Sequence, residues 1–165
     1  MGCSLSLGLA MSPVTDFLEG KGKDHRSRGI EEILDFDDEH IEGVHDYIQW
    51  LFPLPESSAF NTFAPRLTFA DIDILKRSTV ARRNILEATS RMLAFYQRQT
   101  HWLTAINHNH LRISRIIRSL ALILGPQEAQ TFHSEITSFV QAAGNPVGKE
   151  ALGYWREAAQ QRSSM

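Results

Sequence analysis

The sequence predicts an all-α fold: a single compact domain of about six helices with no sheet. Three observations carry that expectation. Apolar residues recur at three- and four-residue spacing through most of the chain. The periodic segments are bounded by helix-starting Ser, Thr or Asp and by Gly or Pro stops. No run shows the strict alternation of a half-buried strand.

Taken in order, residues 1–29 are rich in Gly, Ser and charge, including EGKGKDHRSRG, and are expected to form a flexible N-terminal arm. The helical domain is expected over 30–160, with 161–165 as a tail. Ile30, Ile33, Leu34 and Phe36 fit a short amphipathic turn or two. Asp35 or Asp37 then suits an N-cap, and the acids that follow suit the positive end of a helix dipole. Ile41, Val44, Ile48, Leu51 and Phe52 form one helix face, which Pro53 and Pro55 terminate.

PLPESSAFNTFAPRL, residues 53–67, is expected to be a loop anchored by Leu54, Phe60 and Phe63. Thr68 with Asp71 resembles a capping box for a short helix reaching about Lys76. Ser78 or Thr79 caps a longer helix whose stripe is Ile85, Leu86, Met92, Leu93 and Tyr96. The next helix runs from about Asn109 to Leu124 with Gly125 after it, and Pro126 opens another that turns Phe132, Ile136, Phe139 and Val140 inward. Gly144, Asn145 and Pro146 break the chain before a last helix grouping Ala151, Tyr154 or Trp155, and Ala158.

Composition bounds the function classes. With 165 residues, 42% hydrophobic and 22% charged, the chain has the make-up of an ordinary globular domain. A chain of this length buries roughly 68–70% of its unfolded surface, so it needs no metal or disulfide to fold. The single cysteine, Cys3, excludes an internal disulfide and fits a reducing compartment. No run approaches the about 18 apolar residues of a transmembrane helix. MGCSLS has the form M-G-x-x-x-[ST], so acyl chains on Gly2 and Cys3 would give peripheral membrane attachment. The expectation is that they are not used and that the protein is soluble and intracellular.

Charge is unevenly spread. Residues 31–46 hold eight acids and no Lys or Arg, while residues 66–118 hold ten basic residues against three acids. Either the two regions lie side by side, which is the expectation, or the second presents a basic surface.

No residue nominates itself for catalysis. Cys3 lies in the expected arm, and there is no nucleophile elbow, phosphate-binding glycine loop or H-E-x-x-H pair. The seven histidines show no ligand spacing, since His108 and His110 would point to different sides of a helix. No enzyme activity, metal or cofactor is expected. Two surfaces stand out instead. On the helix of HNHLRISRIIRSLALIL, Ile113, Ile116, Ile117, Leu120 and Leu124 face inward with Asn109. Arg112, Arg115 and Arg118 fall on the outer half with His108 and Leu111. In HDYIQWLFPLP, residues 45–55, Trp50 projects opposite the apolar stripe, near Asp46 and Gln49. The preferred explanation is that the 54–63 loop folds over Trp50; the other is that Trp50 belongs to a binding surface.

HDYIQWLFPLPESS (45–58), Asn61, Ala64, Pro65, Leu67 and Thr68, MLAFY (92–96), HNHLRISRIIRSL (108–120) and ALGYW (151–155) together resemble the conserved region of the opioid growth factor receptor family. The resemblance runs in order over most of 30–158. It implies an all-helical domain and supplies no catalytic residue. Animal members are described as receptors for an endogenous opioid peptide that restrains growth, associated with the nucleus and its envelope. They carry long additional segments, and this chain is expected to be a compact member without them.

The resulting expectation is a non-enzymatic helical module that binds a peptide or protein through His45, Gln49, Trp50, Asn109, Arg112 and Arg115. The alternative is nucleic-acid or polyanion binding through Arg112, Arg115 and Arg118. A third reading is an enzyme with unrecognised chemistry.

Overall fold

The computed structural model describes residues 11–160. Among these there are nine helices and no strand, so the all-α expectation holds, with more and shorter helices than about six. The chain opens where an arm was expected. Ser12 caps α1 (Pro13–Leu18), its hydroxyl accepting from the Thr15 amide, and Pro13 needs no partner in the first turn. Val14, Phe17 and Leu18 are buried in the core.

The expectation of a flexible arm is therefore corrected over 13–29; its first ten residues, with Gly2 and Cys3, lie outside the described residues, as does 161–165. The physical reason is that the polar residues of EGKGKDHRSRG satisfy one another. The buried Asp24 carboxylate accepts from the Arg26 and Arg28 amides, both at 2.9 Å, and from Arg28 Nε at 2.7 Å. Arg28 Nη2 continues to Asp46 at 2.7 Å. A composition that reads as solvated chain is here a closed hydrogen-bonded turn.

α2 (Ile30–Leu34) buries Ile30 and Ile33. Asp37 caps α3 (Asp38–Gly43), accepting from the His40 amide. The single helix expected to continue to Pro53 is corrected: the chain leaves helical geometry at Val44 and resumes in α4 (Ile48–Leu51). The break is made by tertiary contacts, since Arg112 from a distant helix takes the carbonyls of Ile41 (2.8 Å) and Val44 (3.0 Å). Those acceptors no longer need a continuing helix.

Residues 52–68 form the loop, pinned by the Leu67 amide donating to Leu54 O and by Arg66 Nε donating to Pro55 O. Of its expected anchors only Leu54 is buried; Phe60 and Phe63 are 85% and 69% exposed. The Thr68–Asp71 capping box is present at the start of α5 (Phe69–Arg77). Ser78 caps α6 (Thr79–Arg98), the longest helix.

After a loop that buries Trp102, α7 (Asn109–Ile123) forms the centre of the fold, with Ile113, Ile116, Ile117 and Leu120 fully buried. It packs against α5, against α8 (Pro126–Ala142) and against α9 (Lys149–Gln160), while α6 packs on α1, α2, α5 and α8. Gly125, at φ 112°, separates α7 from α8 in a conformation an L side chain rarely adopts. Two tryptophans tie the loop after α6 back to α6, and α9 to the first turn of α7. Trp102 Nε1 donates to Tyr96 O at 2.9 Å, and Trp155 Nε1, from α9, donates to His110 O at 3.0 Å. Trp155, not Tyr154, is the inward residue of α9.

The two charge blocks do meet. Asp38 accepts from Arg91 (2.9 Å), Arg98 (2.7 Å) and Gln99 (2.9 Å). Arg98 first, then Gln99 and Arg91, hold its carboxyl far below the usual carboxylate range against a smaller opposing effect of burial. No helix among the described residues is long and apolar enough to cross a membrane.

Candidate functional site

A cleft of about 430 Å³ lies between α7, the 44–49 segment and the 54–60 loop. It gathers His45, Gln49, Arg112 and Arg115 from the expected site, together with Arg118 and His108. Asn109 and Trp50 do not line it.

Arg112 is 6% exposed, which corrects its expected place on a solvated outer face. Its Nη1 donates to Ile41 O and to Asn109 Oδ1 (3.3 Å), and its Nη2 donates to Val44 O and to His45 Nδ1 at 2.8 Å. The guanidinium also lies 5.8 Å over the Tyr47 ring. It acts as a cap for the carbonyl end of α3, where cations are favoured. Since guanidinium N–H groups only donate, His45 Nδ1 is the acceptor, and this contact holds the exposed imidazole at the cleft mouth. Tyr47, buried beneath, donates its hydroxyl to Ile41 O, and burial pushes its pKa up to about 12.

Asn109 stands behind Arg112, fully buried. Its amide donates to Glu42 Oε2 at 3.1 Å. Glu42 Oε1 receives His101 and His108, each at 3.1 Å. Burial opposes ionisation of Glu42, but Asn109, His108 and His101 together hold its carboxyl below its ordinary value. Among the described residues no group of three or more His, Cys, Asp and Glu is disposed to hold a metal ion.

Trp50 is 6% exposed, and its cover comes chiefly from the supposed arm. Trp50 Nε1 donates to His25 Nδ1 at 3.1 Å, the two rings stack at 6.2 Å, and Phe17 meets the indole edge-on at 5.4 Å. The 54–63 loop contributes at one remove, through Phe63 stacked on His25 at 5.6 Å. Trp50 is thus a core residue with a satisfied N–H, and a role as an open contact surface is corrected. Gln49 is also buried at 6%, with its carboxamide near Asn61 at 3.5 Å.

Arg115 and Arg118 differ from Arg112. Arg115 Nη1 donates to Phe52 O at 3.1 Å, and among the described residues it has no carboxylate partner. Burial, with Arg118 beside it, lowers its pKa. Arg118 is paired with Glu56 of the loop. Next along α7, Ser119 Oγ donates to Pro53 O at 3.0 Å, so the helix holds the loop by two consecutive turns.

The apolar wall was not foreseen. Ile48 and Leu54 floor the cleft, and Phe60 and Leu111, 85% and 60% exposed, stand at its rim. Leu111 falls among the arginines in the helical projection, which is a usable signal. Phe60 sits in a Ser-rich loop with no period, so its exposure has no sequence signature.

Residues 27–101, which include α3, α4 and the loop, match the family model described as the opioid growth factor receptor (OGFr) conserved region. The opioid growth factor receptor-like protein 1 of Rattus norvegicus is 35% identical over 131 residues, covering 67% of this chain and 27% of that protein. The opioid growth factor receptor of Rattus norvegicus is 36% identical over 98 residues, or 48% of this chain and 17% of that protein. The corresponding Homo sapiens protein is 34% identical over 98 residues. The chain therefore spans about a quarter or less of the length of these relatives. No solved structure matches it. On the matched conserved region and these relatives, the chain belongs to the opioid growth factor receptor conserved-region family.

Proposed function

We propose that the chain is a non-enzymatic helical module that binds a peptide or protein in the cleft between α7 and the 54–60 loop, with opioid growth factor receptor-like activity in the sense of its relatives' names. One observation carries this reading: Phe60 and Leu111 stand exposed at the rim of a cleft that also presents His45, Arg115 and Arg118. Exposed aromatic and aliphatic side chains beside cationic ones are the make-up of a recognition surface. The cleft's size is within the range that holds a small ligand or a few side chains, about 300–1,000 Å³.

The cleft's polar groups are engaged in holding the fold: Arg112 on carbonyls, Arg118 on Glu56, His45 on Arg112. That supports binding over catalysis. It also weakens the polyanion reading, because the three arginines do not form an open stripe. The single cysteine supports an intracellular setting.

The test is selection of peptides from a random displayed library on the full chain, followed by titration of the selected peptides against Phe60→Ser and Leu111→Ser. Both side chains are exposed, so both variants are expected to melt as the parent does while binding at least about tenfold more weakly, the loss of one buried apolar contact. Selected peptides whose affinity is indifferent to both substitutions would overturn the cleft as the site.

A further inference from the structure

The three arginines along the cleft are spent unequally. Arg112 gives its N–H groups to Ile41 O, Val44 O, Asn109 and His45, and Arg118 has Glu56. Arg115 alone of the three, among the described residues, has neither a carboxylate nor more than one hydrogen bond, that to Phe52 O. A guanidinium carries five donors in a planar fork suited to a carboxylate. A half-buried cation held by one carbonyl keeps N–H groups to offer a ligand, and Glu56, the acid whose charge reaches it, is hydrogen-bonded to Arg118 instead. Among the described residues no Asp or Glu lines the cleft.

We infer that the cleft recognises a carboxylate-bearing peptide, its carboxylate held by the Arg115 fork and the adjoining apolar side chain seated against Leu54, Phe60 and Leu111. This rests on the peptide-binding reading and names the chemistry of its ligand. Charge complementarity selects the occupant. One available guanidinium within an apolar cleft matches one carboxylate flanked by a hydrophobic residue, whereas a nucleic acid needs several cations along its backbone. Glu56 then acts as the loop's own competing carboxylate. It neutralises Arg118 at the cleft edge and opposes the field that would draw in an anion.

The experiment uses the full chain and three dipeptide probes followed by NMR titration of the cleft's amide resonances: acetyl-Leu-Phe with a free C-terminal carboxylate, the same dipeptide as its amide, and acetyl-Asp-Phe amide. The first and third separate a chain-terminal carboxylate from a side-chain one. An acid is expected to bind at least about tenfold tighter than the neutral amide, the scale of a hydrogen bond to a charged group. Arg115→Gln is expected to erase that preference while leaving the amide's affinity in place.

Should Arg115→Gln lose its fold, Glu56→Gln provides the second arm. Glu56 is exposed, and its neutralisation is expected to raise affinity for the acids severalfold and leave the amide unchanged. Equal binding of acids and amide in the cleft overturns the carboxylate assignment and leaves the peptide reading standing. Failure of all three probes to shift cleft resonances also overturns it, while the selected-peptide titration still decides the broader reading. A short oligothymidylate that binds through Arg115 in preference to the acids overturns it in favour of nucleic acid.

Discussion

Arg112 reaches from α7 to His45, Nη2 to Nδ1 at 2.8 Å, and with the same guanidinium closes the carbonyl end of α3. The contact joins residues far apart in sequence and decides where the 38–51 stretch stops being a helix. Replacing Arg112 by Leu keeps much of the stem's volume but leaves Val44 O without its donor and Ile41 O with only the Tyr47 hydroxyl. An unsatisfied buried group costs about 1–3 kcal/mol, so a loss on that scale is expected in denaturant unfolding. Arg112→Lys, which can serve only some of these acceptors, should fall between. Parent-like stability of Arg112→Leu would show that water or a relaxed helix end replaces the guanidinium.

Trp50 gives a second prediction, of the same kind. Its indole is buried against Phe17 and hydrogen-bonded to His25. Trp50→Ala should cost about 3–5 kcal/mol, as for other buried large aromatics. Trp50→Phe keeps most of the apolar area and gives up the N–H donor, so it should cost about 1–2 kcal/mol, with His25→Ala weakening the same contact from the other side. A double-mutant cycle between Trp50→Phe and His25→Ala reads the shared term. Additive losses would mean that the hydrogen bond and stacking contribute nothing of their own.

These two residues also show what the sequence could and could not disclose. The inward stripe of α7, the Thr68–Asp71 box, the Ser78 cap and the Gly125–Pro126 junction are all local, fixed by residues a few positions apart, and they read correctly. Arg112 and the 13–29 segment did not. A helical projection assigns Arg112 to the outside because it cannot see that another segment ends there with free carbonyls. The EGKGKDHRSRG stretch reads as solvated because charge composition does not reveal that Asp24 and Arg28 satisfy each other and lay His25 on Trp50. For the candidate site, residue types were legible but depth was not: Gln49 and Asn109 are polar and buried, Phe60 apolar and exposed.

Two glycines of the last helical region should respond oppositely to the same substitution. At Gly148 an added Cβ would lie 2.7 Å from Ala105 O, the carbonyl to which the Gly148 amide donates at 3.2 Å. Gly148→Ala must push two backbones apart and is expected to cost about 1–3 kcal/mol, the scale of overpacking. Gly153 lies inside α9 with nothing within 4 Å of the added atom. Gly153→Ala should therefore stabilise by about 0.5–1 kcal/mol, the difference in helix propensity. Thermal melts of the pair check this, and matching shifts in one direction would contradict it.

The last prediction concerns acid. His110 is buried between Trp102 and Trp155: its Nε2 donates to Trp102 O at 2.9 Å, and the Trp155 ring stands edge-on at 5.5 Å. Burial lowers its pKa, outweighing the favourable carbonyl contact. In the unfolded chain the same imidazole titrates near its ordinary value of about 6.5. Below that value the unfolded state takes up a proton that the folded state resists, so stability is full above about pH 6.5 and is lost as the pH falls through it. His108 and His133, also lowered chiefly by burial, add to the same slope. Asp38, Glu42, Asp46 and Asp71, all held below their ordinary values, contribute a separate loss only as the pH falls below the carboxylate range of about 4. Melting temperature should therefore fall in two stages, the first setting in as the pH drops below about 6.5. His110→Gln retains an N–H for Trp102 O but cannot take up a proton in either state. It is expected to make the first stage shallower and leave the second unchanged, and an unaltered first stage would remove His110 as its origin.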